Sequence, residues 1–416
     1  MLRFKKVSDS LFMVSVILFG LYPLLPERYE SYIPILLITF SLLIFLKTKQ
    51  KKINYKPFLI MSMMFIFFGL SAMLSENTAL GFKKIETMAS LIGMPIVFFI
   101  FLSNNKINYK KLQSLFSYIF FFTNVVFSLI AFYLLNYYRN PKFSTKDSDF
   151  FRNAITDIPF IGDHSIYISL FLAIAVIMGV YFFLHRKWNN TMKVLISIGL
   201  LIITTMLFLL MSKGVLIGLF VSLIGPYIFK KKYRKKATAL AMVIVVLVII
   251  LIPKQNNRFI ELISKQSFEE VDLNNSTSIR FFILRSALNL CVKNPITGYG
   301  LGDVQGVLDE EYRANNLSLP NGKYNSHNQY LFVWLSGGLI GLFIFIFYLY
   351  FIIKIAVNKN DYFLISISTL YLVTFLFENV LSRQSGVILF AFLINFLVAK
   401  NILSDNKINN NHLSTP

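Results

Sequence analysis

Twelve apolar runs divide the chain: 11–26, 31–46, 57–74, 87–102, 112–135, 164–184, 191–211, 214–229, 237–252, 328–353, 362–381 and 384–400. A hydrocarbon core of about 30 Å takes ~20 helical residues, and shorter runs are accommodated by thinning or snorkelling. Inside lipid a backbone must satisfy its own polar groups, which a helix does within one segment. The pattern therefore predicts an all-α polytopic integral membrane protein with about 12 transmembrane helices. Two connections exceed turn length, 136–163 and 253–327, and both fall on the same side. The expected division is helices one to nine over 1–252 (including the outer loop 136–163), a large outer loop over 253–327, helices ten to twelve over 328–400, and a tail over 401–416.

The large loop contains short helices of its own. In 278–292 (SIRFFILRSALNLCV), Phe281, Leu284, Leu288 and Cys291 recur at helical spacing after the possible N-caps Ser276, Thr277 and Ser278. Asn294-Pro295 stops this helix, and its amphipathic pattern suits the membrane surface. GYGLG at 298–302 follows, either an ordinary turn or a phosphate cradle of backbone N–H groups. No internal repeat and no pair of matching broken helices is visible, which weighs against a transporter.

Composition agrees with the bilayer as solvent. Hydrophobic residues make up 56% of the 416 positions, charged ones 15%, and mean hydropathy is +0.63. The net charge of +21 would suggest nucleic acid if it lay on one soluble face. Instead the basic residues punctuate alternate loops, as in KTKQKKINYK (47–56) and KKKYRKK (230–236), while of the twenty acidic residues only Asp9, Asp361 and Asp405 lie on that side. This is the positive-inside pattern, so the reading is no nucleic acid, with both termini inside and membrane lipids as constant partners. The first run begins like a signal peptide but ends in Pro23 and Pro26 without a small-residue cleavage site, so it is expected to stay as helix one. Cys291 has no second cysteine and is expected to pack.

Ionisable groups near a membrane are costly and call for an explanation. Here they sit at the outer ends of the runs: His164 opens the sixth, Lys213 the eighth, His327 precedes the tenth, Glu378 lies near the end of the eleventh, and Arg383 is in the turn after it. Midplane charges would suit transport; interface charges suit an enzyme acting on a lipid headgroup. Lys213, in the turn Ser212-Lys213-Gly214, puts a cation at a helix N-terminus, where the dipole disfavours it unless an anion joins both. A lysine that snorkels into water is the plainer alternative. His327 precedes a long helix, an environment that favours neutral imidazole and a general base; a histidine merely marking the interface is the alternative.

Arg280 and Arg285 share the loop helix but lie about 140° apart around its axis, so they cannot face one ligand equally. Arg280, beside the helix start, is favoured for a diphosphate, against a plain salt bridge to Glu269, Glu270 and Asp272. Arg152 in the other loop is a lesser candidate for the same anion. Glu378 is expected to pair with Arg383 or to orient a cation. Asp309-Glu310-Glu311 reads as a solvated face rather than a metal site, because consecutive carboxylates diverge. No metal is expected.

Three stretches together resemble the O-antigen ligase and polymerase superfamily: SKG at 212–214, SIRFFILRSALNLCVKNPITGYGLGD at 278–303, and SHNQYLFVWLSGGLIGL at 326–342. The resemblance implies a bacterial cytoplasmic (inner) membrane glycosyltransferase whose large loop is periplasmic. It implies His327 as catalytic base, supported by Asn328 of the His-Asn motif, with Arg280 and Lys213 at the positions of diphosphate-binding basic residues. Lys213 stands where arginine is usual, giving charge without a bidentate fork. The implied donor is a polyprenyl-diphosphate-linked glycan, the acceptor a lipid A-core sugar or another glycan, with no cofactor. Ligase and polymerase differ only in acceptor; the dominance of one outer loop leans toward ligase. Protein O-glycosylation, polysaccharide transport and a non-catalytic assembly role are the remaining readings.

Overall fold

Except for 237–252, which lies outside the described residues, the apolar runs fall on helices. The structure, a computed structural model, describes residues 2–48, 53–103, 107–137, 148–158, 161–228, 276–315 and 324–403. Among them no strand occurs. The helices are α1 (Leu2–Gly20), α2 (Tyr32–Lys47), α3 (Tyr55–Met73), α4 (Thr78–Thr87), α5 (Ser90–Pro95, continued by a π-helical turn Ile96–Phe101), α6 (Tyr109–Tyr137), α7 (Ser148–Thr156), α8 (Ser165–His185), α9 (Asn190–Leu210), α10 (Lys213–Ile228), α11 (Ser276–Lys293), α12 (Val304–Ala314), α13 (Gln329–Asn358), α14 (Tyr362–Thr374) and α15 (Gln384–Leu403). Seven helices are long and apolar enough to cross a membrane, or up to 8 if the bent pair α4–α5 forms one span. The protein is therefore an all-helical multi-pass chain; the tally of twelve is larger than these helices establish, since α10 and α14 are apolar but short and only Ser10–Gly20 of α1 is apolar.

Local signals explain the starts. The side chains of Asn77, Asn189, Asn328 and Asp361 each accept the N–H three residues on and cap α4, α9, α13 and α14. Helices α8 and α15 are buried almost all round and form the middle of the bundle. On the α1 side, Phe392 of α15 stacks on Phe19 at a centroid distance of 3.8 Å, and Phe396 continues the stack. Helices α2 and α13 keep large apolar side chains outward, among them Ile35, Leu46, Ile340 and Phe343, as a lipid-facing surface does.

Three sequence expectations need correction here. Helix α13 is not continuous: Gly337 and Gly338 leave helical geometry, with Gly338 at φ +64°. A Cβ on Gly338 would lie 1.9 Å from the Ile296 carbonyl oxygen, so only glycine lets the loop come this close. The groups freed by the break are taken up by that loop. Tyr299 N–H donates to Leu335 O (2.7 Å), Gly300 N–H to Ser336 O (3.2 Å), and Leu339 N–H to Pro295 O (2.8 Å). GYGLG is thus a brace, with Leu301 and Gly302 N–H also bonded to Ser71 of α3 and Ser75 just after it, and those donors are spent within the protein.

The loop helix also turns a different face inward from the one its spacing suggests. Ile283, Ala287, Leu290 and Cys291 are buried on α11, while Leu288 is exposed. Half of the expected stripe was one position off, because serines at 278 and 286 join the packed face. Burial pushes the Cys291 thiol up to about 12, as a packing cysteine requires. Beyond α11, Glu311 is not solvated: it accepts from Lys293 at 2.6 Å and ties α12 to α11. Asp303 likewise accepts the N–H groups of Glu76 and Asn77, fixing α12 to the α3–α4 turn.

Candidate active site

The candidate residues come from α7, the start of α8, α11 and the turns before α10, before α13 and after α14. The first turn is Met211–Gly214. Met211 ends α9 in the left-handed region at φ +50°, Ser212 Oγ lies 2.7 Å from Ser169 Oγ of α8, and Lys213 opens α10. A Cβ on Gly214 would fall 2.5 Å from Phe377, so glycine allows α10 to press against the residue preceding Glu378. Lys213 Nζ donates to Thr277 Oγ1 (2.9 Å), which joins this turn to the start of α11. Arg280 lies one turn further along α11, half-buried, while Arg285 is exposed.

His327 stands in the turn before α13 with its backbone at φ +43°, a conformation uncommon for a residue with a side chain. The surroundings hold it there. Asn325 Oδ1 accepts the His327 N–H (2.9 Å), Ser326 bonds to Asn379, and Asn328 both caps α13 and donates through Nδ2 to Leu376 O (3.1 Å). Gln329 N–H donates to Phe375 O, and Leu381 N–H donates back to the Gln329 side chain. The histidine turn and the segment after α14 are thereby sewn together, and this is why α14 stops at Thr374 rather than running to 381.

That stitching delivers Glu378. Its Oε2 lies 3.2 Å from His327 Nδ1 and 3.9 Å from Arg280 Nη2. Burial pushes this carboxyl up, but His327, Arg280 and His164 pull it below the usual range, so it is ionised. An ionised carboxylate can only accept. Nδ1 of His327 therefore carries a proton, and whenever the ring is neutral its lone pair sits on Nε2. The sequence pairing of Glu378 with Arg383 is corrected: the acid serves His327 and Arg280, while Arg383 acts at longer range on Asp163 and His164. Arg280 accordingly has Glu378 as its acidic partner; the alternative partners at 269–272 lie outside the described residues.

A chamber of about 520 Å³ opens between α7, the α8 start, α11 and the histidine turn, bordered by Arg152, His164, Arg280, Tyr324 and His327. Beside it a recess of about 40 Å³ is lined by Ser212, Lys213, Gly214, Arg280 and Glu378. The recess has room for a water and the chamber has room for a substrate. Arg152 and Arg280 border both. Arg152 donates through Nε to Ser165 Oγ (3.1 Å); burial and the Arg280 charge, partly offset by Glu378, push it down to about 10, still charged at neutral pH. The candidate residues Lys213, Arg280, Arg152, His327 and Glu378 are thus gathered around one pair of cavities, with Asn328 just behind them. Arg383 is not among the lining residues. Among the described residues no group of three or more His, Cys, Asp and Glu could hold a metal ion.

Three cations, Lys213, Arg280 and Arg152, stand around one buried carboxylate, and His327 borders the same chamber. Residues 198–346 match the O-antigen ligase family. The match covers 149 of the 416 residues and makes that segment similar to the family. Lys213, Arg280, His327 and Asn328 fall inside the matched segment; Arg152, His164 and Glu378 fall outside it. Among curated proteins none matches the chain.

Sequence reasoning passed over His164 as a site residue although it opens an apolar run at the interface. It also passed over Asn325 and Asn379, which hold the histidine turn. The signal for His164 was its position at a helix start; nothing in the chain order announces that α7 and α8 close the chamber opposite His327.

Proposed function

We propose that the protein transfers a glycan from a polyprenyl (undecaprenyl) diphosphate carrier to an acceptor hydroxyl on the outer, periplasmic face of a bacterial cytoplasmic membrane, in the manner of an O-antigen ligase. The observation that carries this reading is the Glu378–His327–Arg280 constellation facing a chamber that Arg152 also borders. A diphosphate leaving group needs its developing charge stabilised more than it needs protonation, and Arg280, Arg152 and Lys213 supply fixed positive charge. Basic side chains here take the part that a divalent ion plays elsewhere. Nε2 of His327 takes the acceptor proton as that oxygen attacks the anomeric carbon and the bond to the diphosphate oxygen breaks. A single displacement of this kind inverts the anomeric carbon.

The outer loops 136–163 and 253–327 would carry most of the binding surface, with both chain ends inside. A lipid A-core sugar is the favoured acceptor, since one outer loop dominates. The reading is tested by reconstituting the protein in nanodiscs with an undecaprenyl-diphosphate oligosaccharide and a lipid A-core acceptor. Glycosylated core with released carrier diphosphate supports it; lengthened lipid-linked glycan with untouched core would reassign the protein as a polymerase, and no transfer to any acceptor would overturn it.

A further inference from the structure

The chamber is chemically lopsided. Its wall on α11 presents Arg280, with Lys213 in the adjoining recess and Arg152 of α7 bordering both cavities, while the rest of the wall from the end of α7 to the start of α8 presents Asn153, Thr156, Asp157, His164 and Ser165. The first wall suits phosphate oxygens. The second is a row of short hydrogen-bonding groups with little net charge, which suits hydroxyls. Tyr324, 6.2 Å from the His327 ring, adds an aromatic surface of the kind that packs against a sugar face.

His164 is the least explained member of that wall. It stands at the N-cap of α8 yet its side chain makes no capping bond, and its Nδ1 is buried with no hydrogen-bond partner. His164 borders the chamber, and with Nδ1 sealed the ring can meet a ligand there only through Nε2. Burial first, then the Arg383 and Arg152 charges, offset in part by Glu378, push His164 down to about 4. It is neutral across the physiological range and too weak a base to hold the acceptor proton. A neutral imidazole is donor and acceptor at once, as a sugar hydroxyl is.

Resting on the glycosyl-transfer reading, we propose that the α7–α8 wall is the acceptor subsite and that His164 is its positioning and specificity contact, hydrogen-bonding a neutral hydroxyl of the acceptor sugar opposite His327. The two histidines then divide the work: His327 takes the proton, and His164 holds the sugar that gives it up. In this arrangement His164 touches acceptor and not donor, which separates it from Arg280 and Lys213.

The experiment is steady-state transfer by full-length protein in nanodiscs, with lipid-linked donor and acceptor varied independently, for wild type, His164→Ala and His164→Asn, with thermal melts as folding control. The expected result is an acceptor KM raised about 10-fold or more in His164→Ala, as loss of one hydrogen bond to a buried partner gives. Donor affinity should not change, and His164→Asn, which keeps a neutral donor and acceptor, should recover at least half of the loss. An unchanged acceptor KM in a folded His164→Ala protein, or a loss that falls on donor affinity instead, would overturn the subsite while leaving glycosyl transfer intact. Absence of transfer by wild type would overturn the underlying reading and the subsite with it.

Discussion

His327 and Glu378 are 51 positions apart in the chain and 3.2 Å apart in space, the carboxylate against Nδ1 of the ring. The contact does two things at once: it sets which nitrogen is free, and it places a negative charge beside the imidazolium that would form when Nε2 takes a proton. Replacing Glu378 by glutamine keeps the shape but removes the charge and lets the ring adopt either tautomer. Turnover of Glu378→Gln should fall roughly 100-fold or more, with donor binding less affected, because positioned proton transfer contributes about that much. Single-turnover rates beside donor titrations check it.

Arg280 shares that carboxylate at 3.9 Å and is the cation common to chamber and recess. Arg280→Lys should weaken donor binding about 10-fold and Arg280→Ala about 100-fold, since the charge survives in the first and the planar fork in neither. Lys213→Arg should keep activity within a few-fold, because only charge is asked of that position. Equilibrium binding of a radiolabelled donor separates these outcomes; undiminished binding in the Lys213→Ala, Arg280→Ala double variant would remove both from the donor site.

The motifs that mark the site were legible in the chain because each is local: a Ser-Lys-Gly turn between two apolar runs, an arginine at a loop-helix start, a histidine before a long apolar helix. The partner of Glu378 was not, since Arg383 is five residues away in sequence and Arg280 and His327 reach the acid only once α11 and the histidine turn pack over α14. The Gly337–Gly338 break was invisible for a related reason. Apolar runs show where helices lie but not whether a loop will insert a carbonyl such as that of Ile296 between two glycines. Hydropathy likewise pointed to twelve spans, whereas length and apolarity qualify seven of the described helices, because short apolar helices such as α10 and α14 satisfy one criterion and not the other.

The brace at that break is expected to be a folding requirement. Gly338 has φ +64° and no room for a Cβ, so Gly338→Ala should cost more than ~3 kcal/mol and appear as loss of monodisperse, thermally cooperative protein. Gly306 on α12 meets nothing within 4 Å, and Gly306→Ala should be neutral or stabilising by up to ~1 kcal/mol. Thermal melts in detergent compare the two.

Acid sensitivity should reveal two adjacent groups acting in opposite directions. His164 is pushed from 6.5 down to about 4, so between those values the unfolded chain binds a proton that the folded protein refuses, and stability falls as pH drops through that window. Asp163 is pushed from 3.8 up to about 6, chiefly by burial, so the folded protein holds a proton the unfolded chain has released, and stability rises as pH drops from about 6 to 3.8. In wild type the two largely offset. His164→Asn should keep only the second effect and gain ~1–2 kcal/mol relative to wild type between pH 7 and 4, after allowance for solvent screening. Melting temperatures over that range measure it.

If His327 is the base in glycosyl transfer, single-turnover transfer by wild type and His327→Ala with donor bound beforehand will show it. His327→Ala should bind the undecaprenyl-diphosphate donor as wild type does while its transfer rate falls at least about 100-fold. A folded His327→Ala protein that transfers at the wild-type rate would contradict it.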